Sequence, residues 1–110
     1  MRIHILRFFA IAAAVSSVRA AEPDYKITNI PAPDGVLLEV GGMDWMPDGR
    51  LMMCTRRGEI WSFQPENSEW TQFASGLHEP LGLVAGKDNS EIYVLQRAEL
   101  TRITDTDKDG

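Results

Sequence analysis

Three aspartates at alternating positions, Asp105, Asp107 and Asp109, run into Gly110 near the end of this chain of 110 residues. Carboxylates spaced in this way can converge on one hard cation where the backbone curls, and a glycine at the sixth position of such a loop takes the sharp turn. This is the first half of a calcium-loop pattern. The other half would supply a carboxylate, most often Glu, about six residues beyond Gly110. A hydrated turn built from good turn formers fits the same residues, so the sequence leaves both readings open.

The remaining candidates for chemistry are fewer. His78 is the only histidine besides His4, so no histidine-rich metal site can be assembled, and a catalytic base would need a second group to orient it. A hydrogen-bonded structural role suits a single loop histidine equally well. Cys54 is the single cysteine, which excludes an internal disulfide framework; between Met53 and Thr55 it reads as a buried, inert thiol. Trp45, Trp61 and Trp70 fall at strand positions and are expected to pack as core between sheets. No residue carries a catalytic signature of its own.

The elements that must position these residues come from an internal repeat. Gly42-Met43-Asp44-Trp45, Leu51 to Arg56 and Glu59 to Phe63 recur as Gly82 to Asn89, Glu91 to Arg97 and Glu99 to Ile103, a period of about forty residues. Short apolar strands separated by Asp/Gly turns at that period predict an all-β chain of β-propeller blades, four-stranded, antiparallel and NHL- or quinoprotein-like. Blades do not bury both faces alone, so two of them predict an incomplete ring, the front end of something larger. In the first blade the strands are expected at Gly42–Met46, Leu51–Thr55, Glu59–Phe63 and Glu69–Ala74. Pro47-Asp48-Gly49 and Arg56-Arg57-Gly58 turn the chain between them. Ahead of the blades, Tyr25–Ile30 and Val36–Val40 are further strand candidates, split by Pro31-Ala32-Pro33-Asp34-Gly35.

Blade topology then sorts the loops. The turn between strands two and three shares a rim with the crossover to the next blade, which gathers Arg56, Arg57, His78, Glu79, Gln96 and Arg97 as ligand-rim candidates. The Pro47-Asp48-Gly49 turn and the aspartate-rich loop belong to the opposite rim. A structural alternative for the arginines is inter-blade pairing with Glu59, Glu79 or Glu99.

The first 20 residues read as a signal peptide. Arg2, His4 and Arg7 precede the apolar run Phe8–Val15, and Val18-Arg19-Ala20 offers small residues for cleavage before Ala21. That run is about half the length of a membrane span, and no other segment could cross, so an exported protein, periplasmic or extracellular, is expected. The division is residues 1–20 leader, 21–35 lead and connector, and 36–110 blades. Loss of Arg2, Arg7 and Arg19 takes the net charge from −5 to −8. So acidic a chain repels phosphate backbones, which argues against nucleic acid as a partner.

The run Val36 to Arg50 resembles the start of the large exported six-bladed propellers of planctomycete-type bacteria. So do Cys54-Thr55-Arg56-Arg57-Gly58-Glu59-Ile60-Trp61, Gly76-Leu77-His78-Glu79-Pro80-Leu81-Gly82-Leu83, Tyr93 to Arg97 and the aspartate-rich end. Those proteins are described as membrane-bound dehydrogenases, are similar to glucose/sorbosone dehydrogenases, and often carry a C-terminal c-type haem domain. The resemblance implies a quinoprotein-like oxidoreductase. It would take electrons from a sugar or alcohol substrate, with pyrroloquinoline quinone (PQQ) as a cofactor, and pass them to haem c as acceptor. No Cys-x-x-Cys-His haem motif occurs in this chain, and the resemblance places no catalytic residue on it. The competing expectation is a non-enzymatic, NHL-like propeller that binds a peptide, glycan or polymer at its rim.

Overall fold

The computed structural model describes residues 23–110, and the leader lies outside them. Within them every regular element is a strand: β1 (Val40–Trp45), β2 (Leu51–Thr55), β3 (Ile60–Gln64), β4 (Glu69–Ala74), β5 (Gly82–Ala85), β6 (Glu91–Gln96) and β7 (Glu99–Thr104). They form two antiparallel meanders, a four-stranded sheet β1-β2-β3-β4 and a three-stranded sheet β5-β6-β7. All-β architecture follows from the sequence pattern: short, β-branched, aromatic and Met-rich runs between Gly, Pro and Asp turns leave no helical periodicity.

Turn residues set the hairpins. At the β1–β2 turn the Met46 amide donates to the Arg50 carbonyl at 2.8 Å and Gly49 adopts φ +89°. The Asp48 carboxylate accepts the Arg50 amide at 3.1 Å, the local side-chain bond that suits aspartate to turns. Between β2 and β3 the Gly58 amide donates to the Thr55 carbonyl at 2.9 Å, again with φ +89° at the glycine.

The sheets lie face to face. In an antiparallel pair, residues directly opposite one another share a face. Gly42, Cys54 and Ile60 therefore share one face of the first sheet with Asp44, Met52 and Ser62. Leu83, Ala85, Ile92 and Val94 share a face of the second. Met52, Cys54, Ile60, Ile92 and Val94 are fully buried in one cluster with Leu83 and Met46. Glycine is required where the backbones meet: a Cβ on Gly42 would lie 2.9 Å from Gly82 Cα and from Leu83 N. Asp44 adds a polar link, its Oδ2 accepting the Ala85 amide at 2.9 Å.

Several expectations need correction. Tyr25–Ile30 forms no strand and is exposed, with Tyr25 at 76% and Ile27 at 81%. It pairs with no strand among the described residues; the Pro31 carbonyl, just beyond it, instead accepts the Trp70 indole N–H. Of the expected strand Val36–Val40 only Val40 pairs, because Val36 and Glu39 make local bonds to Pro33 and Leu37. The tryptophans do not fill the space between the sheets. Trp45, Trp61 and Trp70 all point from the opposite face of the first sheet: Trp45 is 57% exposed, Trp61 and Trp70 are half-buried. Trp70 packs on Phe63 with ring centroids 4.8 Å apart and donates its indole N–H to the Pro31 carbonyl at 3.0 Å. Strand parity decided this, since one step along a strand moves a side chain to the other face.

Candidate metal centre

The aspartate loop leaves the end of β7 and is tied down at once, because the Asp105 amide donates to the Ser90 carbonyl at 2.7 Å. The chain then curls around the Asp105 carboxylate. Oδ1 accepts the Lys108 amide at 2.8 Å and Oδ2 accepts the Gly110 amide at 3.2 Å, with Lys108 at φ 59° and Gly110 at φ +83°. This curl brings one carboxylate oxygen from each of Asp105, Asp107 and Asp109 within 4.8 Å of one another. Asp105 is half-buried, and Asp107 and Asp109 are exposed.

The close approach of Asp105 and Asp107 shows in their titration. Partial burial pushes the Asp105 carboxyl up, but the amides of Gly110 and Lys108 outweigh it and hold the group below the usual aspartate value. Asp107 moves the other way, raised by its hydrogen bond with Asp105 and by the neighbouring Asp109 charge. One low and one high carboxylate side by side is the expected response of paired acids with no cation between them.

The surroundings add polar groups. A cleft of about 560 Å³ is bordered by the loop, by Asp48 and Arg50 of the β1–β2 turn, and by Asn89 of the β5–β6 turn. Arg50 pairs with Asp48 at 2.9 Å and donates to the Asn89 carbonyl at 3.1 Å, while the Asn89 side chain accepts the Asp48 amide at 2.9 Å. These bonds join the first turns of the two sheets. In a smaller hollow that Asp109 and Gly110 also line, Gln64 holds a buried side-chain oxygen without a hydrogen-bond partner among the described residues. Sequence reasoning did not single out Gln64; nothing in its type or spacing marks it, and only folding brings it beside the loop. The converging donors are the three carboxylates, the chemistry of a hard divalent cation.

The rim candidates lie at the other end of β6, roughly 17 Å away by strand length. There His78 donates its backbone amide to Gln96 Oε1 at 2.6 Å, the Arg97 amide donates to the His78 carbonyl at 3.0 Å, and Arg97 forms an ion pair with Glu79. Arg56 and Arg57 reach this end through the neighbouring Gly58, whose carbonyl accepts the Leu77 amide at 3.0 Å. Both are exposed, and neither takes part in an ion pair among the described residues. Among the described residues Glu59 and Glu99 do not pair with arginine. Glu59 accepts the Trp61 indole N–H at 3.0 Å, and Glu99 accepts Gln96 Nε2 at 2.8 Å and the Thr101 hydroxyl at 3.0 Å. This repeated carboxylate contact at the start of β3 and β7 was missed from sequence, although Glu-x-Trp and Glu-x-Thr at equivalent positions were its signal.

Cys54 is fully buried, and burial raises its thiol pKa, which leaves it protonated and unreactive. The exposed Arg97–Glu79 pair contributes little. Arg97→Ala should change unfolding free energy by no more than about 1 kcal/mol, as urea titration followed by circular dichroism would read.

No protein-family model, no curated protein and no solved structure matches the chain.

Proposed function

We propose that the two sheets are neighbouring blades of a β-propeller and that Asp105, Asp107 and Asp109 bind calcium at the loop leaving the second blade. The observation that carries the reading is the convergence of the three carboxylates on a loop anchored to Ser90. Strand order supports the architecture: β5-β6-β7 repeats β1-β2-β3 and lies on it face to face. Calcium fits this donor set, and its role here is structural. It would neutralise the loop carboxylates and fix the β7 end against the β5–β6 turn.

Titration calorimetry of the full chain tests this directly. Calcium should bind with one site per chain and raise the melting temperature, by an amount equivalent to about 2.7 kcal/mol when free calcium is about a hundred times Kd. Asp107→Asn should lose most of the heat while leaving the strands intact. Absence of binding heat and of any melting shift at saturating calcium would overturn the assignment.

The pH dependence has a definite sign. Without a cation, the raised Asp107 pKa stabilises the folded loop below the ordinary aspartate value, and that stability is lost as pH rises through the raised value. The lowered Asp105 pKa contributes the opposite way: its stability is present above the ordinary value and lost as pH falls through the lowered one. Calcium needs both groups ionised, so its melting shift should be full near about pH 7 and fade as pH falls toward about 4.

The activity we attach to this scaffold is the one its sequence resemblance implies, dehydrogenation of a sugar or alcohol in an exported protein. PQQ enters on the resemblance alone. Haem c does not fit this chain's own residues: thioether attachment uses two cysteines, and the sole cysteine is buried in the core. An electron acceptor would therefore be held outside these residues. Substrate-dependent reduction of a redox dye by the natively exported protein, with quinone absorbance, is the expected result. Absence of both would leave the rim-binding propeller as the reading.

A further inference from the structure

We propose that Asp34 is a site of spontaneous covalent modification, where the backbone isomerises to isoaspartate, and that the register of its turn selects it over the same tripeptide at Asp48. This chemistry needs neither the calcium loop nor a cofactor.

Pro-Asp-Gly occurs twice, as Pro33-Asp34-Gly35 and as Pro47-Asp48-Gly49. An aspartate followed by glycine can close on the next amide, because glycine has no side chain to hinder the approach. The protonated carboxyl condenses with that amide: a bond forms between Cγ and the glycine nitrogen, the C–O bond breaks, and the hydroxyl leaves with the amide proton as water. Water then opens the succinimide ring. Addition at the side-chain carbonyl restores aspartate, whereas addition at the main-chain carbonyl breaks the original peptide bond and leaves the backbone running through the aspartate side chain. One water leaves and one returns, so the mass is unchanged. The reaction needs a glycine amide free to attack and a carboxyl free to swing onto it.

Both groups are free at Asp34. The Val36 amide donates to the Pro33 carbonyl at 3.0 Å, which makes Asp34 and Gly35 the central pair of the turn, with Gly35 at φ +74°. In such a turn the fourth residue's amide is tied and the third's is left out. Accordingly, the Gly35 amide and the Asp34 carboxylate have no hydrogen-bond partner among the described residues. At the second copy the turn lies one residue earlier along the tripeptide: the Gly49 amide is itself the fourth, donating to the Met46 carbonyl at 3.0 Å. The Asp48 carboxylate is held too, accepting the Arg50 amide at 3.1 Å and Arg50 Nε at 2.9 Å. The third Asp-Gly pair, Asp109-Gly110, has its glycine amide on Asp105 Oδ2 at 3.2 Å. Isomerisation at Asp34 would lengthen the main chain by a methylene between Pro31, held by the Trp70 indole, and β1. Contacts with the first sheet resume at Glu39, whose carbonyl accepts the Arg56 amide at 2.9 Å, so the strands persist.

The test is a time course of the folded full chain at neutral pH, with circular dichroism as the folding control. Digestion after glutamate separates the two sites at Glu39, and isoaspartyl peptides are resolved by chromatography and located by electron-transfer fragmentation. Isoaspartate should accumulate at Asp34 roughly tenfold or more faster than at Asp48, because three hydrogen bonds must open first at Asp48. In urea the two rates should converge, since the tripeptide is the same and the turns are gone. Asp34→Glu should remove the signal at that position, because the longer side chain closes a larger ring more slowly. Equal accumulation at the two sites of the folded chain, or faster accumulation at Asp48, overturns the proposal. So does a difference that persists undiminished in urea, which would assign the selectivity to flanking residues and not to the turns.

Discussion

Gly58→Val should unfold the chain or leave it marginal, with a loss of more than about 4 kcal/mol. Gly58 sits at φ +89°, where any side chain is strained and a β-branched one most of all. Space is the larger obstacle. A Cβ there would run into the Leu77 carbonyl oxygen, which belongs to the backbone of the crossover and cannot rotate aside. Leu77 is also hydrogen-bonded to Gly58, its amide donating to the Gly58 carbonyl at 3.0 Å, so relieving the clash means pulling the crossover off the β2–β3 turn. Gly49 supplies the control. It has the same φ of +89° with nothing within 4 Å of a built Cβ, so Gly49→Ala pays only the conformational cost, about 1 kcal/mol. Urea midpoints measured by tryptophan fluorescence would separate the two. Similar losses in both variants would mean that strain alone, and not the approach of the crossover, sets the requirement at Gly58.

Ile92→Ala should cost about 2–5 kcal/mol, the range for emptying a well-packed core position. Ile92 is fully buried in the cluster that joins the sheets, together with Met52, Cys54 and Ile60 from the other side. Small domains hold only about 5–15 kcal/mol in all, so one such cavity removes a large share. The cavity would lie between two sheets that share no backbone ladder, and the loss should therefore include separation of the sheets. Near-ultraviolet circular dichroism and denaturant midpoint read both effects. Leu100→Ala is the comparison, since Leu100 is 68% exposed in this chain and should cost well under about 1 kcal/mol. Comparable losses at the two positions would show that the inter-sheet cluster is not where the stability resides.

The two results bear on how a short chain with two small sheets holds together. Met52, Cys54 and Ile60 of the first sheet and Leu83, Ile92 and Val94 of the second are buried on the faces that meet. Cooperative stability therefore belongs to the pair. Gly42 and Gly58 act at different places in it: Gly42 lets the sheets touch, and Gly58 lets the crossover return the chain to the start of the second sheet.

Local chemistry in the sequence determined the strands, the turns and the all-β class, because these depend on residues a few positions apart. The Pro47-Asp48-Gly49 turn, β2, β4 and the burial of Cys54 all follow from such neighbours. Aspartate spacing likewise marked the Asp105–Gly110 loop as a candidate cation site. What only the tertiary structure decided was which face each strand presents and what covers it. Trp45, Trp61 and Trp70 read as core by size, yet their parity on the strands puts them on the face away from the second sheet. Tyr25–Ile30 alternates like a strand, yet it pairs with none among the described residues, and alternation alone does not make a strand. Asp44 bonded to Ala85, and Gln64 beside the loop, are pairings across tens of residues. No local pattern encodes them, since they arise only when two meanders pack face to face.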